Sequence, residues 1–200
     1  MARPLSKAST VPEHRRRLLR ADRLETLLFS TGSTVFALLD AARDPGVVPL
    51  LERGDCPYAC LYKGQAAATY RNYAPYLVQL SADADVTDRL LRDGWGTSAG
   101  LFLGTSLSAG ELCQHLRHFL YVTLPHGKQA YFRFYDPRVM RSFLPTCTGA
   151  QLDDFLRGAI DWFVIEGLDP DTAQVYSRVH GARDHEPRLA FDTVTVAMTA

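Results

Sequence analysis

Tyr131-Phe132-Arg133-Phe134-Tyr135-Asp136-Pro137-Arg138-Val139-Met140-Arg141 is the stretch on which the reading of the fold turns. Tyr131, Arg133 and Tyr135 alternate with Phe132 and Phe134, the period of two expected of a strand with two different faces. Asp136 ends that strand. An aspartate followed at once by proline starts a helix: its carboxylate accepts amide hydrogens that have no partner in the first turn, and proline at the first helical position sacrifices no hydrogen bond. Val139, Met140, Phe143 and Leu144 give this short helix one apolar side, and Pro145 limits its length. Strand therefore passes directly into helix. Arg133, Tyr135, Asp136, Pro137 and Arg138 stand at the junction, where a guanidinium can stack on tyrosine and pair with a carboxylate. Two roles are open for them. They shape the fold, with the aspartate as cap and the arginines pinning the turn, or they face a partner, since arginine and tyrosine are enriched among interface anchors.

Working back from this stretch, Gln129 to Tyr135 and Tyr121 to Leu124 make a hairpin around Pro125-His126-Gly127-Lys128. Before it, Leu112, Leu116, Phe119 and Leu120 share one face of a helix that Ser106 or Ser108 can cap, Glu111 lying at capping-box distance from Ser108. Leu101-Phe102-Leu103 reads as a buried strand after the loop Gly94-Trp95-Gly96, and Val86 to Arg92 as a helix. Ala74 to Leu80 is a strand whose proline marks an edge or a strand start. Cys60 to Tyr62 is a brief strand, Gln65 to Arg71 is helix or coil, and Val47 to Arg53 is a short helix. Thr34 to Leu39, almost continuously apolar, is a buried strand that leads to Asp40. Glu13 to Phe29 is an amphipathic helix with Arg15, Arg16, Arg17, Arg20 and Arg23 around a leucine stripe.

Working forward, Thr148 caps a helix through Leu152, Phe155 and Leu156, and Gly158 closes it. Asp161 to Ile165 is a further strand. Leu168 to Arg188, rich in proline, aspartate and arginine, reads as a loop or loosely held arm, and Leu189 to Met198 as a terminal strand. The fold class that follows is α/β of the α+β type: a mixed β-sheet flanked by short helices, with at least one hairpin and an N-terminal amphipathic helix. The chain divides into a tail and helix over 1–33, a core domain over 34–166 and a C-terminal arm over 167–200.

Composition narrows the function classes. With 22 basic against 22 acidic residues, nothing global draws the chain to nucleic acid or an anionic membrane. No apolar run approaches the length needed to span a bilayer, so no membrane insertion is expected, and with Asp22, Arg23 and Glu25 breaking the run after the first arginines, no secretory signal is expected either. Cys56, Cys60, Cys113 and Cys147 lack the spacing of a disulfide framework and read as free thiols in the cytoplasm.

Candidates for chemistry are few. Glu111, His115 and His118 fall on one helical face, but their order is not that of a zinc protease, and they read as a solvated face. Cys56 and Cys60 have no second pair at zinc-ribbon spacing. There is neither a Gly-x-Ser-x-Gly elbow nor a phosphate-binding glycine loop, and Asp153 and Asp154 read as a polar face. No metal, cofactor or catalytic residue is expected, and the protein reads as a non-enzyme. The enzyme alternative is a small hydrolase or metal-dependent enzyme using His115 and His118.

Four segments in order, Phe36-Ala37-Leu38-Leu39-Asp40-Ala41-Ala42, Ala74-Pro75-Tyr76-Leu77-Val78, Gly94-Trp95-Gly96 and Phe132-Arg133-Phe134-Tyr135-Asp136-Pro137-Arg138, resemble a known family. It is that of the type VI secretion adaptors, or effector chaperones, built on a domain long described as of unknown function. The resemblance runs from about Thr34 to Trp162, and the chain departs from longer relatives by having little sequence after that tryptophan. It implies a cytoplasmic adaptor, not itself an enzyme, that holds a toxic effector and helps load it onto the spike protein VgrG. Arg133, Asp136, Pro137 and Arg138 match the strongest motif of that family.

Overall fold

The structure is a computed structural model, which describes residues 12–124, 126–156, 160–178 and 189–196. Its frame is a seven-stranded sheet ordered β2-β3-β1-β4-β7-β8-β9, formed by β1 (Thr34–Asp40), β2 (Tyr58–Cys60), β3 (Pro75–Gln79), β4 (Gly100–Thr105), β7 (Ile160–Glu166), β8 (Thr172–Arg178) and β9 (Leu189–Thr195). A separate two-stranded sheet pairs β5 (Tyr121–Thr123) with β6 (Gln129–Tyr131). Every pairing among the described residues is antiparallel. The α+β class read from the sequence is the class of the structure.

Both faces of the sheet are covered, which explains why the central strands are apolar at consecutive positions. Val35, Ala37 and Leu39 of β1 pack on one side with α1 (Glu13–Phe29), α2 (Val47–Arg53) and α4 (Asp85–Arg89), through Leu24, Leu28, Val47, Leu51 and Val86. Phe36 and Leu38 pack on the other with α5 (Ala109–Arg117), α6 (Pro137–Phe143) and α7 (Gly149–Leu156), through Leu112, Leu116, Met140, Leu152 and Phe155. Successive strand side chains point to opposite faces, so a strand buried on both has no polar alternate. The small α3 (Gly64–Thr69) lies outside both layers, without a buried residue.

Several expectations shift at their edges. Pro75 is a strand start in a strand flanked on both sides, β3 lying between β2 and β1. The brief strand expected at Cys60 to Tyr62 sits two residues earlier. The helix from Asp85 widens into a π-turn at Leu90–Gly94. Gly158, read as a helix stop, lies outside the described residues.

Two expectations are corrected. The hairpin strand ends at Tyr131 and does not continue to Tyr135: the Phe132 amide donates to the Leu120 carbonyl at 2.9 Å, and the Asp136 amide then donates to the Arg133 carbonyl at 3.0 Å, closing a turn. Phe134 and Tyr135 consequently both enter the core, where a strand would have sent them to opposite faces. Second, part of the expected loop from Leu168 to Arg188 is β8, whose Ala173 and Val175 pack with α1's side while Tyr176 packs on the other. Its polar residues, Gln174 and Ser177, hid the strand from a reading based on apolar alternation. The positions 179–188 lie outside the described residues.

Gly104 shows how tightly the frame is filled. It sits opposite Trp162 where the β4–β7 register shifts, and a Cβ placed on it would fall inside the indole. The indole is held by its Nε1–H donating to Thr31 Oγ1 at 3.0 Å. Gly104→Ala is therefore expected to destabilise the fold by about 1–3 kcal/mol, as overpacked cores do, read as a lowered urea midpoint with an unchanged slope.

Candidate functional site

The Asp136 turn brings three parts of the chain together: the end of β1, the end of the hairpin and the first turn of α6. Asp136 is the N-cap of α6, its Oδ1 accepting from the Arg138 amide at 2.9 Å, with Pro137 at the first helical position. The same carboxylate takes the Arg138 side chain in a forked grip, Nε to Oδ1 at 3.0 Å and Nη2 to Oδ2 at 2.6 Å. Burial pushes the Asp136 carboxyl up, but the hydrogen bonds and charge of Arg138, with the charge of Arg133, outweigh it and hold its pKa below the usual value.

Arg133 does not pair with Asp136. Its Nη2 donates to Oδ2 of Asp40, the fully buried last residue of β1, whose other oxygen accepts the Ala42 amide at 3.0 Å. The guanidinium lies over the Tyr135 ring, 5.9 Å from its centre, within cation–π range. Burial disfavours the Arg133 charge, and the hydrogen bond and charge of Asp40 more than offset it. Next to this, the Tyr131 hydroxyl donates to that of Tyr62 at 2.5 Å and accepts from Tyr135 at 3.4 Å. Burial keeps Tyr131 and Tyr135 protonated well beyond the ordinary tyrosine range; the hydrogen bonds of this phenol chain add to the effect at Tyr131 and oppose it at Tyr135.

The outcome is a quartet of alternating charge, with two carboxylates inside and two guanidiniums at the surface. Asp40 and Asp136 are buried, while the Arg133 and Arg138 side chains remain 41% and 48% exposed. Arg138 is thus held by its Nε–Nη2 edge and Arg133 by Nη2, with the Arg133 Nε buried and unpartnered, and the part of each guanidinium beyond those atoms is what faces outward. A planar fork held in this way is suited to a carboxylate or carbonyl arriving from solvent, because its rotamer entropy is already lost.

The sequence placed Arg133, Tyr135, Asp136, Pro137 and Arg138 in one group, and the structure brings all five to this corner. It missed Asp40 and Tyr62 as their partners. The one local clue to Asp40 was an acid ending a strand that is otherwise apolar, a position that demands a cationic partner.

The loop Gly94-Trp95-Gly96 is pinned elsewhere, to β7. The Trp95 Nε1–H donates to the Pro170 carbonyl at 2.8 Å, and the Gly96 and Ser98 amides donate to Glu166 at 2.9 Å each. Gly96 has φ +89°, a left-handed conformation that glycine accepts without strain. Burial lifts the Glu166 carboxyl above its ordinary range, against the two amide hydrogen bonds.

The histidine candidates are separated by their hydrogen bonds. Glu111 completes the capping box of α5 with Ser108. His115 is buried with Nε2 at 2.7 Å from the Phe155 carbonyl, an acceptor, so that nitrogen carries the proton. Among the described residues no group of three His, Cys, Asp or Glu side chains is placed to hold a metal ion. His115 and His118 do line a cavity of about 660 Å³, walled by Phe119, Phe132, Phe143 and Phe155. Among the described residues no serine or cysteine lines it. The four cysteines are free thiols, and no described helix is long and apolar enough to cross a membrane.

The class these features define is an antiparallel α+β protein whose most organised surface feature is an arginine pair anchored on buried acids. Residues 35–154 match the model of a family described as Domain of unknown function (DUF4123), and the chain belongs to that family. The match opens in β1 and runs into α7, so it contains all four members of the charge quartet. No curated protein and no solved structure matches the chain.

Replacing Asp136 by Asn keeps a good cap but removes the charge that grips Arg138. A loss of about 1–2 kcal/mol is expected at pH 7, the upper figure discounted for the exposure of Arg138. Because the folded pKa is depressed, the carboxylate's contribution is complete above its unfolded pKa of about 3.9 and disappears as pH falls through the folded value. Urea unfolding of wild type and Asp136→Asn should therefore differ at pH 7 and converge once pH falls below the depressed folded value.

Proposed function

We propose that this protein is a cytoplasmic adaptor of type VI secretion that binds a cognate toxic effector and helps load it onto the VgrG spike. The observation that carries this reading is the anchored arginine pair. It lies in the motif that most closely resembles that of the type VI adaptors, and the family's matched region encloses it. Half-exposed arginines beside tyrosines, held rigid by buried carboxylates, make a ready-made hot spot for a protein partner. An adaptor needs such anchors and no perturbed acid or base in a cleft.

The enzyme alternative draws on His115 and His118, which share the aromatic cavity. There His115 is committed to the Phe155 carbonyl through Nε2, and its neighbours in the cavity supply neither a thiol nor a serine hydroxyl. Thr123 and Asp154 also line the cavity, so this reading has a hydroxyl and a carboxylate beside the histidines but no serine or cysteine among the described residues.

Purified chain is expected to co-elute with the toxin or the spike encoded beside its gene; no co-elution with either sinks the adaptor reading. Arg138→Lys, which keeps a charge beside the buried Asp136 but loses the planar fork, should weaken that association about tenfold or more, while unfolding free energy changes by less than about 1 kcal/mol. Arg133→Lys keeps a charge on Asp40 but loses the planar fork, and should likewise cost more in binding than in stability. Equal losses in both would assign the pair to the fold. Retained hydrolytic activity that His118→Ala abolishes would favour the enzyme.

A further inference from the structure

Phe132 turns away from the charge quartet, into the cavity between the hairpin and the helices α5, α6 and α7. It meets Phe143 edge to face at 4.7 Å, Phe143 meets Phe155 at 5.8 Å, and Phe155 meets Phe119 at 5.0 Å. The four rings form a continuous apolar wall around about 660 Å³, the size of a site for one or two large side chains. On the rim stand Gln151 and Asp154 of α7, both exposed. Among the described residues Asp154 is the one carboxylate lining the cavity, and no lysine or arginine lines it. An apolar box with an acid at its mouth is complementary to an aromatic side chain with a cation beside it, because rings pack edge to face on phenylalanine walls while the acid meets the charge in solvent.

We infer that this cavity is a docking site for a partner polypeptide that inserts an aromatic side chain between the phenylalanines and sets a neighbouring lysine or arginine against Asp154. The inference rests on the adaptor reading for the nature of its occupant. It adds a second contact surface, separated from the arginine pair by the backbone of residues 132–133, which sends Phe132 one way and Arg133 the other. Carboxylates of the partner go to the arginines, and its aromatic and basic residues to the cavity.

Protein-detected NMR titrations at pH 8 and low salt test this with three short blocked alanine peptides, carrying Trp and Lys, Trp and Glu, or Lys alone. The Trp–Lys peptide is expected to bind saturably, with shifts at α7 and the hairpin, and about threefold more tightly than Trp–Glu. Asp154→Asn, at an exposed position, should make the two equal. Thr123→Trp, also exposed and on a strand that accepts tryptophan, should fill the cavity and abolish binding, with an unchanged circular dichroism spectrum confirming the fold. The inference is overturned if Trp–Lys shows no saturation up to about 10 mM, if it binds Thr123→Trp as well as wild type, or if Trp–Glu is preferred. Co-elution with the effector alongside a failed titration removes the cavity site alone. A successful titration without co-elution removes the adaptor reading and leaves the cavity site standing.

Discussion

A sheet buried on both faces leaves polar side chains only the ends of its strands. Between the α1–α2–α4 layer and the α5–α6–α7 layer, β1 has no exposed position after Thr34. Its one charge, Asp40, comes at the last residue, where backbone leaves the sheet and a guanidinium can reach it. Leaving such a carboxylate unpaired in an apolar interior costs several kcal/mol, so the position of Arg133 is prescribed by the frame it completes.

The same logic operates at the end of β7. Glu166 is buried and receives the amides of Gly96 and Ser98, which ties the tryptophan loop to the sheet. The two corners nevertheless differ electrostatically. Asp136 and Asp40 face arginines, and for Asp136 that charge overcomes burial; Glu166 is served mainly by neutral amides, and there burial prevails. At the first corner the cations are pinned by the buried carboxylates themselves and reach the surface, which is what a binding protein can use, whereas at the second Arg141 donates to the Glu166 backbone carbonyl. The second corner is a fastening.

Segment 131–136 links the two surfaces. Tyr131 closes the hairpin, Phe132 joins the aromatic wall, Arg133 reaches β1, Phe134 and Tyr135 fill the core, and Asp136 starts α6. A regular strand would have put Arg133 on the same side as Tyr131 and Tyr135. The turn closed by the Asp136 amide gives each side chain its own direction, which is why so short a piece of chain serves both the charge quartet and the cavity.

Helices and central strands were legible in the amino-acid order because their causes are local: the leucine stripe of α1, the Ser108–Glu111 box, the Asp136-Pro137 start and the unbroken apolar run of β1 each act within a few residues. The grouping of Arg133, Asp136 and Arg138 was legible for the same reason, and the motif's likeness to the type VI adaptors added a function to look for. Strand β8 was not, since it is held by pairing with β7 and β9 more than by any pattern of its own. Nor were the partners. Asp40 lies 93 positions from Arg133, and Phe119, Phe132, Phe143 and Phe155 come from four separate segments. Local chemistry determined the helices and central strands and how several of them begin; packing of both layers on one sheet decided β8, which acid meets which arginine and where four phenylalanines enclose a space, because those contacts are set by strand order and register.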